Sequence, residues 1–304
     1  MDRRLLLEQE HAIATHLAAN GVPVATPQEL YLSDSLDVLV SDFVDDDGAG
    51  VSGEALGALL ARIHSCAAPA MTLVAQEGLP TEQVLLQRFV RRWKELARIE
   101  PRLRPMPSTS VLAARLPAEG GRSLLHLDVR AANVRCFRRD HPVLIDWSNA
   151  LVGDPGLELA RVAEFATMED NGIELTALLR SYGSSSEDLV AAPAFDVYRL
   201  DTALMLALVF RSEAPDPVLG RSWTERADRL ATMLVRQRHL PRACHVRCTR
   251  PRPSRGSAPP GLGQQVEREA ARSSRAGVGC SSGTPYADVV GVVGVVGVCR
   301  RTRP

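Results

Sequence analysis

Between Leu124 and Pro155 the sequence runs LLHLDVRAANVRCFRRDHPVLIDWSNALVGDP, which gathers His126, Asp128, Asn133, Asp146 and Asp154 into one short segment. Asp128 and Asn133 stand five positions apart in HLDVRAAN, and Asp146 closes the apolar run PVLID. Aspartate and asparagine are common in turns because their side chains bond their own backbone, so one account of the set is ordinary turn chemistry. Another is phosphoryl transfer. A carboxylate can orient an attacking hydroxyl and take its proton, while an amide oxygen and a second carboxylate are hard ligands suited to Mg²⁺. A third account, a metal-dependent hydrolase using His126 and Asp128, has only His141 nearby to complete a shell. Arg130 lies between Asp128 and Asn133 and is either a solvent-facing loop cation or a γ-phosphate contact. Asp154, in GDP, reads as a turn residue before proline.

The surrounding pattern must position these side chains. DRRLLLEQEHAIATHLAANG carries apolar residues at helical spacing and a glycine stop, predicting a helix over about 3–20. QELYLS and LDVLVSDFV predict two strands joined by a turn at Ser33–Ser35. GEALGALLARIHS and TEQVLLQRFVRRWKELARI predict helices, with a shorter one near 108–116. SLLHL, VRCF and PVLID predict short strands, and a loop continues to Pro155. From Gly156 on, GLELARVAEFATM, GIELTALLRSYG, FDVYRLDTALMLALVFRSEA and WTERADRLATMLVRQRHL are helical. The class is therefore α+β, with helices dominating the later part.

The chain has 304 residues, enough for one large or two smaller compact units, and a formal net charge of zero. That balance hides a split near Leu240. Residues 241–304 hold eleven arginines against Glu267, Glu269 and Asp288, so the first 240 residues are acidic. The later segment is rich in Pro, Gly, Ser and Arg, ends in a VVGVVGVVGV repeat, and predicts a disordered tail. Tyr286 is its only aromatic residue, so it offers no stacking platform and nucleic-acid binding is not expected. Six scattered cysteines predict free thiols, and the CHVRC cluster lacks the second ligand pair of a zinc site. No apolar run is long enough to cross a membrane, and the N-terminus lacks a secretory pattern, predicting a cytoplasmic protein.

HLDVRAAN followed by LIDWSNALVGDPGLELARV resembles the signature of the aminoglycoside phosphotransferase and choline kinase family, which has a protein-kinase-like fold. The family pattern H-x-D-x-x-x-x-N, I-D-W/F, G-D-P-x-x-D-L-A is met except that Glu158 replaces an aspartate. The resemblance implies an ATP-dependent phosphotransferase acting on a hydroxyl of a small molecule, with Asp128 as base, Asn133 and Asp146 holding Mg²⁺, and His126 bracing the loop. It also implies a partial N-terminal lobe over 1–48, a mostly helical catalytic lobe over 49–240, and the tail over 241–304. Within the first lobe, Glu10 corresponds to the helix carboxylate that pairs with a strand lysine, and Asp42, Phe43 and Val44 to the hinge that meets adenine.

In the family a nucleotide-covering hairpin and a strand lysine precede that glutamate. Here nine residues precede Glu10, and the one lysine of the sequence, Lys94, falls inside the RRWKELARI helix. Arg3 and Arg4 are the nearby cations, and an arginine fork does not simply replace an ammonium. A catalytically impaired remnant is therefore the alternative to an active kinase. A cationic acceptor, such as an aminoglycoside or amino-alcohol, would suit Glu164, Glu169, Asp170 and Asp201, which read otherwise as solvated helix faces.

Overall fold

A computed structural model describes residues 3–48, 50–76, 78–117, 121–137, 140–168, 171–236 and 293–300. All belong to one compact unit. Helix α1 (Arg3–Ala19) buries Ile13 and Leu17 on one face. It stops where Gly21, at φ 69°, lets the Val22 N–H reach the Leu17 carbonyl and the Gly21 N–H reach that of Ala18. Only a left-handed residue closes this cap, and glycine adopts it without a Cβ penalty.

The hairpin β1 (Pro27–Leu32) and β2 (Leu36–Asp42) follows, paired antiparallel with Leu30 opposite Leu39. The Ser33 hydroxyl closes its turn by donating to the Leu36 carbonyl and accepting the Leu36 N–H. Arg4 locks the hairpin to α1, donating to the Ser33 carbonyl at 2.6 Å and pairing with Asp37 at 3.0 Å. That engagement removes Arg4 from the cations expected to be available to a phosphate.

Helix α2 (Gly53–Ser65) is capped by Ser52, whose hydroxyl accepts the Ala55 N–H, and α3 (Thr81–Ile99) buries Val84, Leu85, Phe89, Trp93 and Leu96 at helical spacing. The short α4 (Thr109–Ala113) follows. Four brief strands come next: β3 (Ser123–Leu125), β4 (Val134–Phe137), β5 (His141–Leu144) and β6 (Leu151–Gly153). β3 pairs with β6 and β4 with β5, both antiparallel. Helices α5 (Pro155–Phe165), α6 (Leu175–Tyr182), α7 (Ser185–Ala191), α8 (Pro193–Leu208) and α9 (Pro217–Arg236) follow. A π-helical turn, Val209–Glu213, extends α8. β6 lies where the sequence predicted only a loop, and α7 where it predicted nothing regular. Three residues are too few to display a strand period, and SSEDLVA lacks an apolar stripe.

One further strand, β7 (Val293–Arg300), pairs antiparallel with β2, Val38 facing Val298. Its β-branched valines suit an extended chain even beside glycines. The rest of 241–304 lies outside the described residues.

The packing around α5 explains where the site sits. Leu157, Leu159, Ala160, Val162 and Phe165 are buried, and so are the charged Glu158, Arg161 and Glu164 of the same helix. Buried charge must be partnered. Glu164 pairs with Arg199 at 2.6 Å and with Arg226, and Asp201 of α8 pairs with Arg92 at 2.7 Å and lies 3.5 Å from Arg161. Glu164 and Asp201 are thus internal ion pairs, neither solvated helix faces nor free attractors for a cationic ligand. Glu169 and Asp170 lie outside the described residues. Among the described residues no helix is long and apolar enough to cross a membrane, and the thiols of Cys66 and Cys136 are free.

Candidate active site

The two loops flanking the β4–β5 ladder carry the candidate chemistry. Val134 pairs with Leu144, and the Ile145 N–H donates to the Asn133 carbonyl at 3.1 Å. The ladder therefore sets Asn133 beside Ile145, one residue from Asp146. On the first loop the Asn133 amide donates to the Asp128 carboxylate at 2.7 Å and to the Asp128 carbonyl at 2.9 Å. With its NH₂ committed to Asp128, the Asn133 amide oxygen is the group left to act as a ligand. Arg130, with a half-exposed side chain, donates to the other Asp128 oxygen at 3.1 Å.

His126 braces this loop. Its Nδ1 lies 3.2 Å from the Asp128 N–H, and its Nε2 lies 2.9 Å from the Ile145 carbonyl. Nδ1 faces a backbone donor and Nε2 a backbone carbonyl, so the ring ties the two loops together. Both ring nitrogens are spent on backbone. The hydrolase account needed one of them for a metal, and among the described residues no group of three or more His, Cys, Asp or Glu could complete such a shell.

Leu127, between His126 and Asp128, is left-handed at φ 61°. A non-glycine residue holds that conformation only where its surroundings over-determine it. Glu158 supplies the hold: one carboxylate oxygen accepts the Leu127 N–H at 2.6 Å, and the other accepts the His126 N–H at 2.8 Å and contacts His64 Nε2 at 3.2 Å. Arg161 completes it by donating to the Leu127 carbonyl at 2.6 Å. Burial pushes the Glu158 carboxyl up, yet the His64 hydrogen bond, the His64 and His126 rings and the His126 N–H hold it below its ordinary value. The longer arm of glutamate, where the resembled family has aspartate, reaches both backbone donors.

Asp146 is left-handed as well, at φ 66°, and caps a 3-10 turn over Trp147–Asn149. Its Oδ1 accepts from the Ser148 hydroxyl at 2.6 Å. Its N–H donates to Glu10 of α1 at 3.1 Å. Gln9, fully buried beside it, donates to the Trp147 carbonyl at 2.7 Å and accepts the Val74 N–H at 2.8 Å. Burial, with the charge of Asp146 second, pushes the Glu10 carboxyl up to about 7, against the pull of the Asp146 and Trp147 N–H groups. Glu10 therefore braces the Asp146 turn in place of the lysine partner expected for it. Lys94 sits on α3 beside Leu86, Gln87 and Thr109.

The segment after β2 runs against the same ladder. The Asp47 N–H donates to the Cys136 carbonyl at 3.3 Å, and Arg135 lies 3.7 Å from Asp46. Upstream, the Asp42 N–H bonds the Thr26 carbonyl and its side chain accepts from Gln28, Phe43 is 56% exposed, and Val44 is partly buried. Asp42, Phe43 and Val44 thus end the hairpin, ahead of the Asp47 bond to β4. Asp154, expected as a turn residue, caps α5 by accepting the Gly156 N–H at 2.9 Å and also accepts the Tyr198 hydroxyl at 2.9 Å.

A cleft of about 620 Å³ opens beside Asp128 and Arg130 and is bounded by Asn149, Asn171, the end of α5 and the π-helical turn. Nothing in the sequence marked Asn171, Phe210 or Glu213 as its walls. They approach Asp128 only through the packing of α5 and α8.

The sequence matches the family described as "Phosphotransferase enzyme family" (APH) over residues 3–199. No curated protein sequence matches it. A thermostable mutant of aminoglycoside phosphotransferase APH(4)-Ia, in ternary complex with ADP and hygromycin B, is 16% identical with a TM-score of 0.51, covering 78% of this chain and 84% of that one. An AMP-PNP and hygromycin B complex of the same enzyme gives 16% and 0.50, covering 76% and 82%. Plasmodium vivax ethanolamine kinase is 12% identical with a TM-score of 0.49, covering 77% of this chain and 76% of that one. At such identities the likeness to APH(4)-Ia is one of fold.

Proposed function

Because the chain belongs to the phosphotransferase enzyme family, its residues 3–199 matching that family, we propose that it moves the γ-phosphate of ATP to a hydroxyl of a small molecule. The observation that carries this reading is the Asp128 carboxylate, held by the Asn133 amide at 2.7 Å and set at the wall of a ligand-sized cleft. Asp128 accepts the proton of the attacking hydroxyl, the role of a carboxylate within hydrogen-bond reach of its substrate. Asn133 fixes which way that carboxylate faces. Arg130, now on Asp128 at 3.1 Å, is exposed enough to turn to a phosphate oxygen and free the base. His126 and Glu158 hold the loop without touching substrate.

The donor set fits Mg²⁺: the free amide oxygen of Asn133, the Asp146 carboxylate oxygen not engaged by Ser148, and no sulfur or imidazole. When bound, such an ion neutralises charge on the phosphates. Asn133 and Asp146 would hold it, on loops that His126 ties together. The backbone of Asp42, Phe43 and Val44 would meet the adenine.

A second reading, an impaired family member with weak nucleotide binding, is favoured by one observation. Glu10 spends its carboxylate on the Asp146 N–H, and Arg4 on the hairpin. Thermal shift separates the two. An active kinase gains about 1.4 kcal/mol when MgATP stands at ten times its Kd, by mass action. Absence of any shift at millimolar MgATP favours the impaired reading. Where a shift is present, Asp128→Asn should retain it while abolishing turnover, and retained turnover would refute the role of Asp128.

A further inference from the structure

The cleft beside Asp128 has walls that speak about the acceptor. Phe165 and Met168 come from the end of α5, Met205 and Phe210 from α8 and the π-helical turn, and Glu213 closes that turn. Its volume, about 620 Å³, suits a small molecule rather than a peptide. Phe210 and two polarizable, adaptable thioethers give part of that wall an apolar surface. Among the described lining residues Asp128 is paired with Arg130, and Glu213 is exposed.

Asn171 adds a second, independent observation. It is 7% exposed, and its amide oxygen accepts the Ala131 N–H at 2.8 Å, which settles which end of the amide is the NH₂. That NH₂ is buried without a hydrogen-bond partner among the described residues, in a side chain that lines the cleft. Buried donors are seldom left unpaired, and each orphan calls for an account. A ligand oxygen at this wall would supply the missing acceptor. The π-helical turn opposite is a rare element found mostly at functional positions, and here it sets Phe210 and Glu213 into the wall.

We infer that the cleft takes an acceptor with an apolar, ring-sized body that presents its hydroxyl to Asp128 and an ether or carbonyl oxygen to the Asn171 NH₂. This rests on the phosphotransfer reading only in that the hydroxyl must reach Asp128. Asn171 is then a specificity residue. An acceptor without the oxygen leaves its NH₂ unpaired, a mismatch that hydrogen-bonding sites reject more strongly than a missing methylene.

Binding to the full chain tests the inference without requiring turnover. The probe is (6-methoxynaphthalen-2-yl)methanol, a flat apolar body with one hydroxyl and one ether oxygen. Calorimetry should find the naphthyl alcohol bound to the parent protein. Asn171→Asp keeps an acceptor for the Ala131 N–H but replaces the donor with an oxygen, and should weaken the alcohol about tenfold. Phe210→Ala, which leaves Asn171 alone, should weaken it too and guards against an Asn171 variant that fails to fold. No binding of the alcohol, or both variants binding it like the parent protein, would overturn the inference. MgATP shifts measured alongside keep the two readings apart: a nucleotide shift with no alcohol binding sinks only the apolar acceptor, and alcohol binding with no nucleotide shift sinks only phosphotransfer.

Discussion

Glu158→Gln removes the charge that holds the Asp128 loop while changing the side chain's volume little. The carboxylate accepts two backbone N–H groups, from Leu127 at 2.6 Å and His126 at 2.8 Å, and contacts His64 at 3.2 Å, all at a position with no exposed surface. A glutamine has one oxygen for two backbone donors and turns an NH₂ toward the other. Hydrogen bonds to a charged group are worth about 1.5–3 kcal/mol, and a buried donor left unmatched costs a comparable amount. With one bond retained, the expected loss is roughly 2–4 kcal/mol, a large share of the 5–15 kcal/mol typical of a domain. At about 2–4 °C per kcal/mol for a domain of this size, the melting temperature should fall by roughly 5–15 °C.

The pH dependence gives the same experiment a sign. The folded Glu158 carboxyl lies below its ordinary 4.5, so its stabilisation is fully present above that value and is lost as pH falls through the folded pKa. The gap between parent and variant should therefore be widest at neutral pH and narrow below about pH 4.5. Differential scanning fluorimetry across that range reads both numbers. A variant melting within about 1 °C of the parent at pH 7 would refute the claim that these bonds hold the loop, since even one net hydrogen bond exceeds that.

Two other substitutions probe the frame behind the site. Asp154→Ala loses the cap on α5 and the acceptor of the Tyr198 hydroxyl; a cap is worth about 1 kcal/mol and the orphaned hydroxyl at least as much again, so the urea midpoint should fall by an amount corresponding to roughly 2 kcal/mol. Asp201→Asn leaves the Arg92 and Arg161 guanidinium groups inside without their counter-charge. Breaking a buried pair on one side costs about 3–5 kcal/mol, and replacing Arg92 with leucine in the same chain should recover part of it, as a double-mutant cycle in urea would show.

Much of this molecule was legible from pattern. The helices of α1, α2, α3, α5, α8 and α9 and the hairpin β1–β2 carry apolar stripes or alternation long enough to count, and the turn residues and glycines that end them are local signals. β6 and α7 were not legible because neither is long enough, or patterned enough, to show a period. The site divides the same way. Asp128, Asn133 and Asp146 are candidates through the motif they share with the resembled family, whereas Asn171 and Phe210 belong to the cleft only through the packing of α5 and α8. Glu164 and Asp201 misled because the chemistry of a carboxylate on a helix is the same whether its partner is water or an arginine from another helix. Only tertiary packing distinguishes the two.

Leu127 and Asp146 are the positive-φ non-glycine residues among the described ones, and they sit immediately before and on the two candidate acids. Each has its N–H held by a glutamate from a helix: Glu158 of α5 for Leu127, Glu10 of α1 for Asp146. A left-handed leucine or aspartate costs about 1–3 kcal/mol. A charge-assisted bond of about 1.5–3 kcal/mol offsets that cost, and only while the helix stays docked. The geometry of the loops is thereby made conditional on the body of the protein. This explains why α5, which carries no reacting group, is buried along most of its length and pinned further by Asp154, Arg161 and Glu164. It also assigns the two glutamates different duties. Glu158, sealed in and held ionised by its donors, fixes the Asp128 loop whatever the ligand. Glu10, with its carboxyl pushed up by burial and by Asp146 itself, faces the carboxylate proposed to meet the metal. The first loop is thus the rigid member of the pair, and the second is the one whose electrostatics a bound cation would change.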